Sequence, residues 1–247
     1  MQATASVASA AATMLDTDML DSIATTEFRQ ARPYPWLNPV GVLRPEAFDL
    51  LRANLPPLEL MQASFGRKRA HGQQPHDRYA LEYHPGLQVN SAWHQLVSEL
   101  DSARYRDFIA RLFDCRRFSL SYHWHYAPRG CSVSPHCDAR RKLGSHIFYF
   151  NTTEDWDPEW GGETLVLDDC GRLARGSSPG FDDFDSAIAA QALGNRSFLF
   201  QRQGNSWHGV KPLLCPEDRM RKVFIVVINS DSPLARLRRL LHRPEGY

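Results

Sequence analysis

At Cys115 the hydrophobic pattern of this chain changes period, and that change constrains the fold more than any other feature. Before it, apolar residues recur at helical spacing twice: Trp93, Leu96, Val97 and Leu100, then Tyr105, Ile109, Leu112 and Phe113. They predict helices over 91–100 and 103–113, forming a platform on one side of a core. After it, aromatic residues alternate with small or polar ones from Phe118 to Tyr126, as in a half-buried strand. Strand-like runs follow at 145–150, 163–167, 197–200 and 222–228. Turn-rich linkers such as Trp160-Gly161-Gly162 and Leu193-Gly194-Asn195 separate them. Many short strands behind a helical segment predict a mainly β fold with flanking α, namely a double-layered antiparallel barrel or jelly roll core braced by N-terminal helices.

The remaining segments are less regular. Arg44 to Leu51 reads as a short helix with Pro45 in its first turn. The stretch 61–88 is polar and irregular, and its histidines, His71, His76 and His84, are expected to be solvated. Residues 171–192 form a long polar insertion, expected to be a lid or binding loop. Leu234, Leu237, Leu240 and Leu241 predict a C-terminal helix over 232–243 with one packing face. Met1 to Thr26 is rich in Ala, Ser and Thr and is interrupted by Asp16, Asp18 and Asp21, so it reads as a flexible leader. The expected organisation is this leader followed by one domain over 27–247. Its helical platform would span 40–115 and its jelly-roll core 116–230.

Composition narrows the function classes. With 247 residues, 43% of them apolar, the chain can bury one substantial core. A net charge of +1 supplies no bulk field toward nucleic acid, so no nucleic-acid partner is expected. The basic runs Arg67-Lys68-Arg69 and Arg238-Arg239 read as solvated faces. No apolar run approaches membrane-spanning length, so no membrane association is expected. Five cysteines, an odd number without C-x-x-C spacing, read as reduced thiols in a cytoplasmic protein. The oligomeric state is left open.

The chemistry concentrates in Ser134-Pro135-His136-Cys137-Asp138 and, far downstream, Trp207-His208-Gly209-Val210. Two imidazoles and one carboxylate, with the remaining positions open, form the facial ligand set of non-haem Fe(II) centres. In an extended strand residues i and i+2 point to one side, so His136 and Asp138 are expected to aim at one ion while Cys137 faces away. An H-x-D triplet by itself is weak evidence, and a structural or zinc site on the same residues is the competing reading.

The assembled pattern resembles the Fe(II)- and 2-oxoglutarate-dependent dioxygenase superfamily, in its prolyl-hydroxylase-like branch, over roughly Phe118 to Asn229. Tyr126 stands ten residues before His136, where that branch has a tyrosine. Ile147-Phe148-Tyr149-Phe150-Asn151 matches an aromatic strand ending in Asn, and Trp160-Gly161-Gly162 opens the next strand. Val210 follows the distal His208, and Arg221 begins the last strand. The resemblance implies a double-stranded β-helix core, with His136, Asp138 and His208 as metal ligands and catalytic centre. It also implies that Arg221 holds the distal carboxylate of 2-oxoglutarate, with Tyr126 and Tyr149 as hydroxyl partners. Arginine suits that role because its planar fork gives two parallel charge-assisted hydrogen bonds. Arg219 is the rival cation, and Tyr149 can alternatively fill the core. Val223 departs from the pattern, since many relatives place Ser or Thr two residues after the arginine; the carboxylate needs another partner.

The implied activity couples oxidative decarboxylation of 2-oxoglutarate by Fe(II) and O2 to hydroxylation of an unactivated C–H bond, with succinate and CO2 as co-products. The substrate expected is prolyl-type or another small-molecule or peptidyl target. Asp138 argues against halogenation, in which relatives carry a small residue there. Two alternatives share the scaffold: a sensor that binds iron and 2-oxoglutarate without turnover, and a nucleic-acid demethylase, which the near-neutral charge disfavours. His123, His125, His146, Arg140 and Arg141 flank the metal strands and read either as substrate contacts or as packed or surface residues. Trp156 and Trp160 are expected to wall the barrel mouth.

Overall fold

The computed structural model describes residues 13–67 and 74–231. The expected C-terminal helix, His71 and most of the two basic runs lie outside these residues.

Among the described residues, five α-helices and eleven strands carry the architecture. The helices are α1 (Thr17–Ser22), α2 (Thr25–Gln30), α3 (Pro45–Ala53), α4 (Ser91–Leu100) and α5 (Ala103–Phe113). The last two end where the apolar spacing predicted. In α3, Pro45 occupies the first turn, where its missing N–H costs nothing. The strands are β1 (Trp36–Leu37), β2 (Gln62–Ser64), β3 (Arg78–Glu82), β4 (Phe118–Pro128), β5 (Val133–His136) and β6 (Lys142–Tyr149), followed by β7 (Thr164–Asp168), β8 (Ser186–Ala190), β9 (Ser197–Gln201), β10 (His208–Val210) and β11 (Met220–Ser230). They form a seven-stranded sheet in the order β1-β9-β6-β11-β4-β3-β2 and a four-stranded sheet in the order β5-β10-β7-β8. Neighbours pair antiparallel throughout. This is the mainly β jelly-roll fold that the strand pattern predicts.

The long strand β11 pairs with β4 from Met220↔Pro128 to Ser230↔Phe118 and with β6 on its other side. Alternation along the pleat then sorts side chains into two sets. Trp124, Phe148, Phe224 and Val226 face the helices, where Trp93 of α4 packs with ring centroids 5.0 Å from Trp124 and 5.1 Å from Phe224. His123, His125, Val223, Ile225 and Ile147 face the smaller sheet and line a cavity. His146 falls on the helix side, where Tyr105 of α5 meets its Nδ1 at 2.9 Å.

Three expectations are corrected. Residues 13–26 are not a leader: Met14, Leu15, Leu20 and Ile23 are buried in the core, and Asp16 caps α1 by accepting from the Met19 N–H. The aspartate that looked like an interruption is a helix start signal. The segment 61–88 is not wholly irregular but holds β2 and β3, so the large sheet draws on residues assigned to the helical platform. Its alternation was obscured because Arg78, on the cavity side, is polar. The insertion 171–192 likewise contains β8, an edge strand exposed along most of its length, whose ladder to β7 supplies the order its composition did not suggest.

Gly144 of β6 shows how tightly these layers meet. A Cβ there would lie 2.1 Å from the Phe200 carbonyl oxygen and 2.7 Å from the Phe113 ring. Gly144→Ala should therefore cost at least about 2 kcal/mol through overpacking, read as a lowered urea midpoint with an unchanged m-value.

Candidate active site

The smaller sheet delivers both histidines. His136, at the end of β5, is the cross-strand partner of His208, which begins β10. Directly opposed residues share a face, and the two rings lie 4.4 Å apart. Asp138 reaches the same point by a different route. β5 ends at His136, so the expected i, i+2 strand geometry does not place the carboxylate. Instead Asp138 sits in the irregular segment that follows, and Arg175 and Arg202 donate to its backbone carbonyl. One ligand atom from each of His136, Asp138 and His208 lies within 4.8 Å of the others, and all three residues are buried.

The donor set fits a divalent ion such as Fe(II). The His136 Nδ1 is 2.9 Å from the Ser134 carbonyl and the His208 Nδ1 is 3.0 Å from the Ser206 carbonyl. A carbonyl accepts from a protonated Nδ1, which directs each Nε2 lone pair toward the ion. Burial raises the Asp138 carboxyl, but Lys142, together with His208 and His136 when these are protonated, outweighs it, so the group stays ionised well below the ordinary carboxylate range. Lys142 Nζ lies 2.9 Å from Asp138 Oδ1.

A second polar centre occupies the same cavity of about 150 Å³. Arg221, at the start of β11, donates through Nε to the Gly162 carbonyl at 2.6 Å and approaches the Thr164 hydroxyl with Nη2 at 3.4 Å. The Tyr149 hydroxyl donates to Thr164 Oγ1 at 2.8 Å, and its ring lies under the guanidinium, 5.4 Å away. Gly162 makes this approach possible. Its φ is +103°, and a Cβ there would crowd Arg221 Cδ at 3.3 Å and Trp156 at 3.4 Å. Trp156 packs edge-on to Trp160 and donates Nε1 to the Gly161 carbonyl, which fixes the turn at the Arg221 end of the cavity. Among the described residues no carboxylate lies within ion-pair distance of Arg221. A half-buried guanidinium with no carboxylate in contact favours an anion beside it. That vacancy for charge fits the distal carboxylate of 2-oxoglutarate. Arg219, the rival, is surface-exposed and faces Asp218.

Tyr126 is the clear miss. Its hydroxyl donates to the Pro56 carbonyl at 3.0 Å, and its side chain belongs to the helix-facing core. Since His125 faces the cavity, Tyr126 faces away by strand parity. Thr164, buried on β7 beside Arg221 and Tyr149, was not anticipated; only the alternation of β7 signals it. His76, expected to be solvated, is buried 4.7 Å ring to ring from His136 and 3.2 Å from the Ser134 hydroxyl, whereas His84 is exposed. Arg78 and Lys142 also line the cavity without having been anticipated, although Lys142 stands four residues after Asp138. Arg140 and Arg141 are exposed.

Comparison with known proteins follows this geometry. Residues 121–227 match the family model described as the 2OG-Fe(II) oxygenase superfamily. A sequence comparison with curated proteins returns no match. A Pseudomonas putida prolyl-4-hydroxylase shares the fold with a TM-score of 0.59 at 18% identity, over 86% of this chain and 99% of that one. A Trichoplax adhaerens prolyl hydroxylase, solved with a hypoxia inducible factor oxygen degradation domain peptide fragment, gives 0.59 at 13% identity over 92% and 93%. The non-haem α-ketoglutarate-dependent carbocyclase SnoK from nogalamycin biosynthesis gives 0.59 at 12% over 93% and 96%.

Two substitutions separate the hydroxyl groups. Thr164→Val should weaken 2-oxoglutarate binding by about two- to tenfold, the worth of one neutral hydrogen bond. Tyr126→Phe should leave that affinity unchanged and lower stability by about 1 kcal/mol. Titration of the metal-loaded variants with 2-oxoglutarate, beside denaturant unfolding, checks both.

A two-histidine, one-carboxylate face and a half-buried arginine thus lie inside a jelly roll that these solved structures share, and the segment 121–227 that carries all four residues is similar to the 2OG-Fe(II) oxygenase superfamily.

Proposed function

We propose that this chain is a 2-oxoglutarate-dependent non-haem iron dioxygenase using Fe(II), 2-oxoglutarate and O2, and that it hydroxylates an unactivated C–H bond of a prolyl-type or small-molecule substrate, releasing succinate and CO2. The observation that carries this reading is the placement of the His136–Asp138–His208 face and the Arg221–Thr164 pair in one buried cavity between the two sheets. In this assignment His136, Asp138 and His208 hold the iron, and Arg221 grips the distal carboxylate with Thr164 and Tyr149 behind it. The bound ion and co-substrate supply the oxidising equivalents. The protein contributes orientation and dryness. The aliphatic wall of Ile147, Val223, Ile225 and Val227 excludes water around the reacting carbon. Asp138 occupies the position that a chloride would need, which favours oxygen transfer.

We extend the reading to the organisation of the chain. The α4–α5 platform and the barrel act as one catalytic unit, because Trp93 and Tyr105 hold the sheet that carries Arg221. The expectation of a cytoplasmic location stands as a proposal. It is supported by five cysteines without a disulfide, and no helix among the described residues is long and apolar enough to cross a membrane. The related fold accommodates a peptide in the Trichoplax adhaerens protein and serves nogalamycin biosynthesis in SnoK, so both substrate classes are compatible with the scaffold.

Anaerobic protein charged with Fe(II) and 2-oxoglutarate, then exposed to O2 with candidate substrates, should release CO2 and succinate in a substrate-stimulated manner. His136→Ala and Asp138→Ala should reduce this to background. Retained turnover in either variant would defeat the metal assignment.

A further inference from the structure

The stretch between β7 and β8 touches the metal-bearing segments at more than one point, and from outside the cavity. Phe181 lies against β10 beside His208: a Cβ on Gly209 would come within 3.0 Å of its ring. Phe184 packs edge-on to Trp207, the residue before His208, with ring centroids 5.7 Å apart. Arg175 donates through Nη2 to the Asp138 carbonyl. One loop therefore reaches the main chain around two of the three ligands, although none of residues 169–185 lines the cavity. Its own contacts hold it in shape. The Leu173 N–H donates to Asp169 Oδ2 at 2.7 Å, the Ser177 hydroxyl donates to the Ala174 carbonyl at 2.6 Å, and Arg172 pairs with Asp185 at 2.8 Å.

Asp138 is where outside support is needed. It lies beyond the end of β5, and among the described residues no backbone N–H reaches its carbonyl. The residue is 6% exposed, so solvent offers that acceptor little. Its donors are Arg175, from the loop, and Arg202, from the segment after β9. The two guanidiniums thereby come close, and Arg202 is held below its ordinary value by burial and by Arg175. Among the described residues neither meets a carboxylate within ion-pair distance. No ion pair therefore explains their convergence; what they share is the main chain of a metal ligand. Fixing the peptide plane after Asp138 removes one of the two soft backbone dihedrals that aim its side chain. Partners behind a ligand orient it and contribute to metal affinity.

We propose that Arg175 is a positioning residue for the metal centre: it holds the Asp138 main chain so that the carboxylate stays on the face shared with His136 and His208, and the loop that carries it braces this face from behind. The proposal rests on the metal assignment made above. It gives the insertion a task at the metal itself.

Titration of the full chain, freed of metal, with Co(II) and followed by visible absorption tests this. Wild type should bind one equivalent, and His136→Ala should lose it. Arg175→Met, which keeps an unbranched stem and removes the donor, should weaken Co(II) by about ten- to hundredfold and change the shape of the absorption band. Its urea midpoint without metal should change little, because Arg202 still serves the carbonyl. Arg175→Lys, which keeps one charged donor, should fall between the two. If the methionine variant does not fold, the lysine variant carries the comparison, and a wild-type Co(II) affinity in it would then sink the proposal. Unchanged Co(II) affinity and band shape in Arg175→Met would overturn it, whether or not the urea midpoint falls, since Arg175 would then serve only the fold. If wild-type protein binds no Co(II), or His136→Ala binds it equally well, the metal assignment falls first, and that result is read before any Arg175 variant is compared.

Discussion

The pairing of β11 with β4, unbroken over the length of both strands, and with β6 on its other side is the constraint on which the rest of the molecule depends. A pleated strand can present each residue to only one of two faces. Along these three strands one face is aromatic and packs on α4 and α5, and the other is mixed and lines the cavity. Because the ladder is continuous over eleven residues of β4, a slip by one position would exchange the two sets. Trp124 and Phe224 would enter the cavity, while His125 would be driven into the helices. The hydrophobic anchoring of Trp93 therefore sets where Arg221 points as surely as any contact at the site itself.

The smaller sheet plays the complementary part. Its strands are short, and it is there to oppose two histidines across a single pair of backbone positions. Gly209, next to His208, shows the tightness of that arrangement: a Cβ would lie 2.8 Å from the Val133 carbonyl and 3.0 Å from the Phe181 ring. Backbone carbonyls orient both imidazoles, so the ligand set is organised by main chain rather than by side chains that could relax. Asp138 is the exception. It lies in an irregular segment, held by Arg175 and Arg202 at its carbonyl and by the nearby Lys142 at its carboxylate, so its backbone position depends on long-range contacts.

The electrostatics of the cavity are divided in space. Arg221 occupies one end beside Thr164 and Tyr149, whereas Lys142 and Arg78 act on His123 and His125. The imidazoles lose their charge by burial and by proximity to these cations, so they offer hydrogen bonds at any ordinary pH.

Much of this was legible without coordinates. Helices α4 and α5 and the five main strands follow from apolar period and turn residues, because those signals are local, whereas the metal triad and Arg221 were singled out by resemblance to a known family. The errors share one cause. Tyr126 was placed by its distance along the chain from His136, but its side is decided by which neighbour the strand pairs with. His76, Arg78 and the strands β2, β3 and β8 were hidden because polar residues facing a cavity look like polar residues facing water. Asp16 and its flanking apolar residues read as leader because a buried helix start and a flexible segment use the same letters. The sequence by itself determined the period of each element and the chemistry of the ligands, both of which are written within a few residues. Only the tertiary structure decided which polar groups turn inward together, because that depends on pairings between residues far apart in the chain.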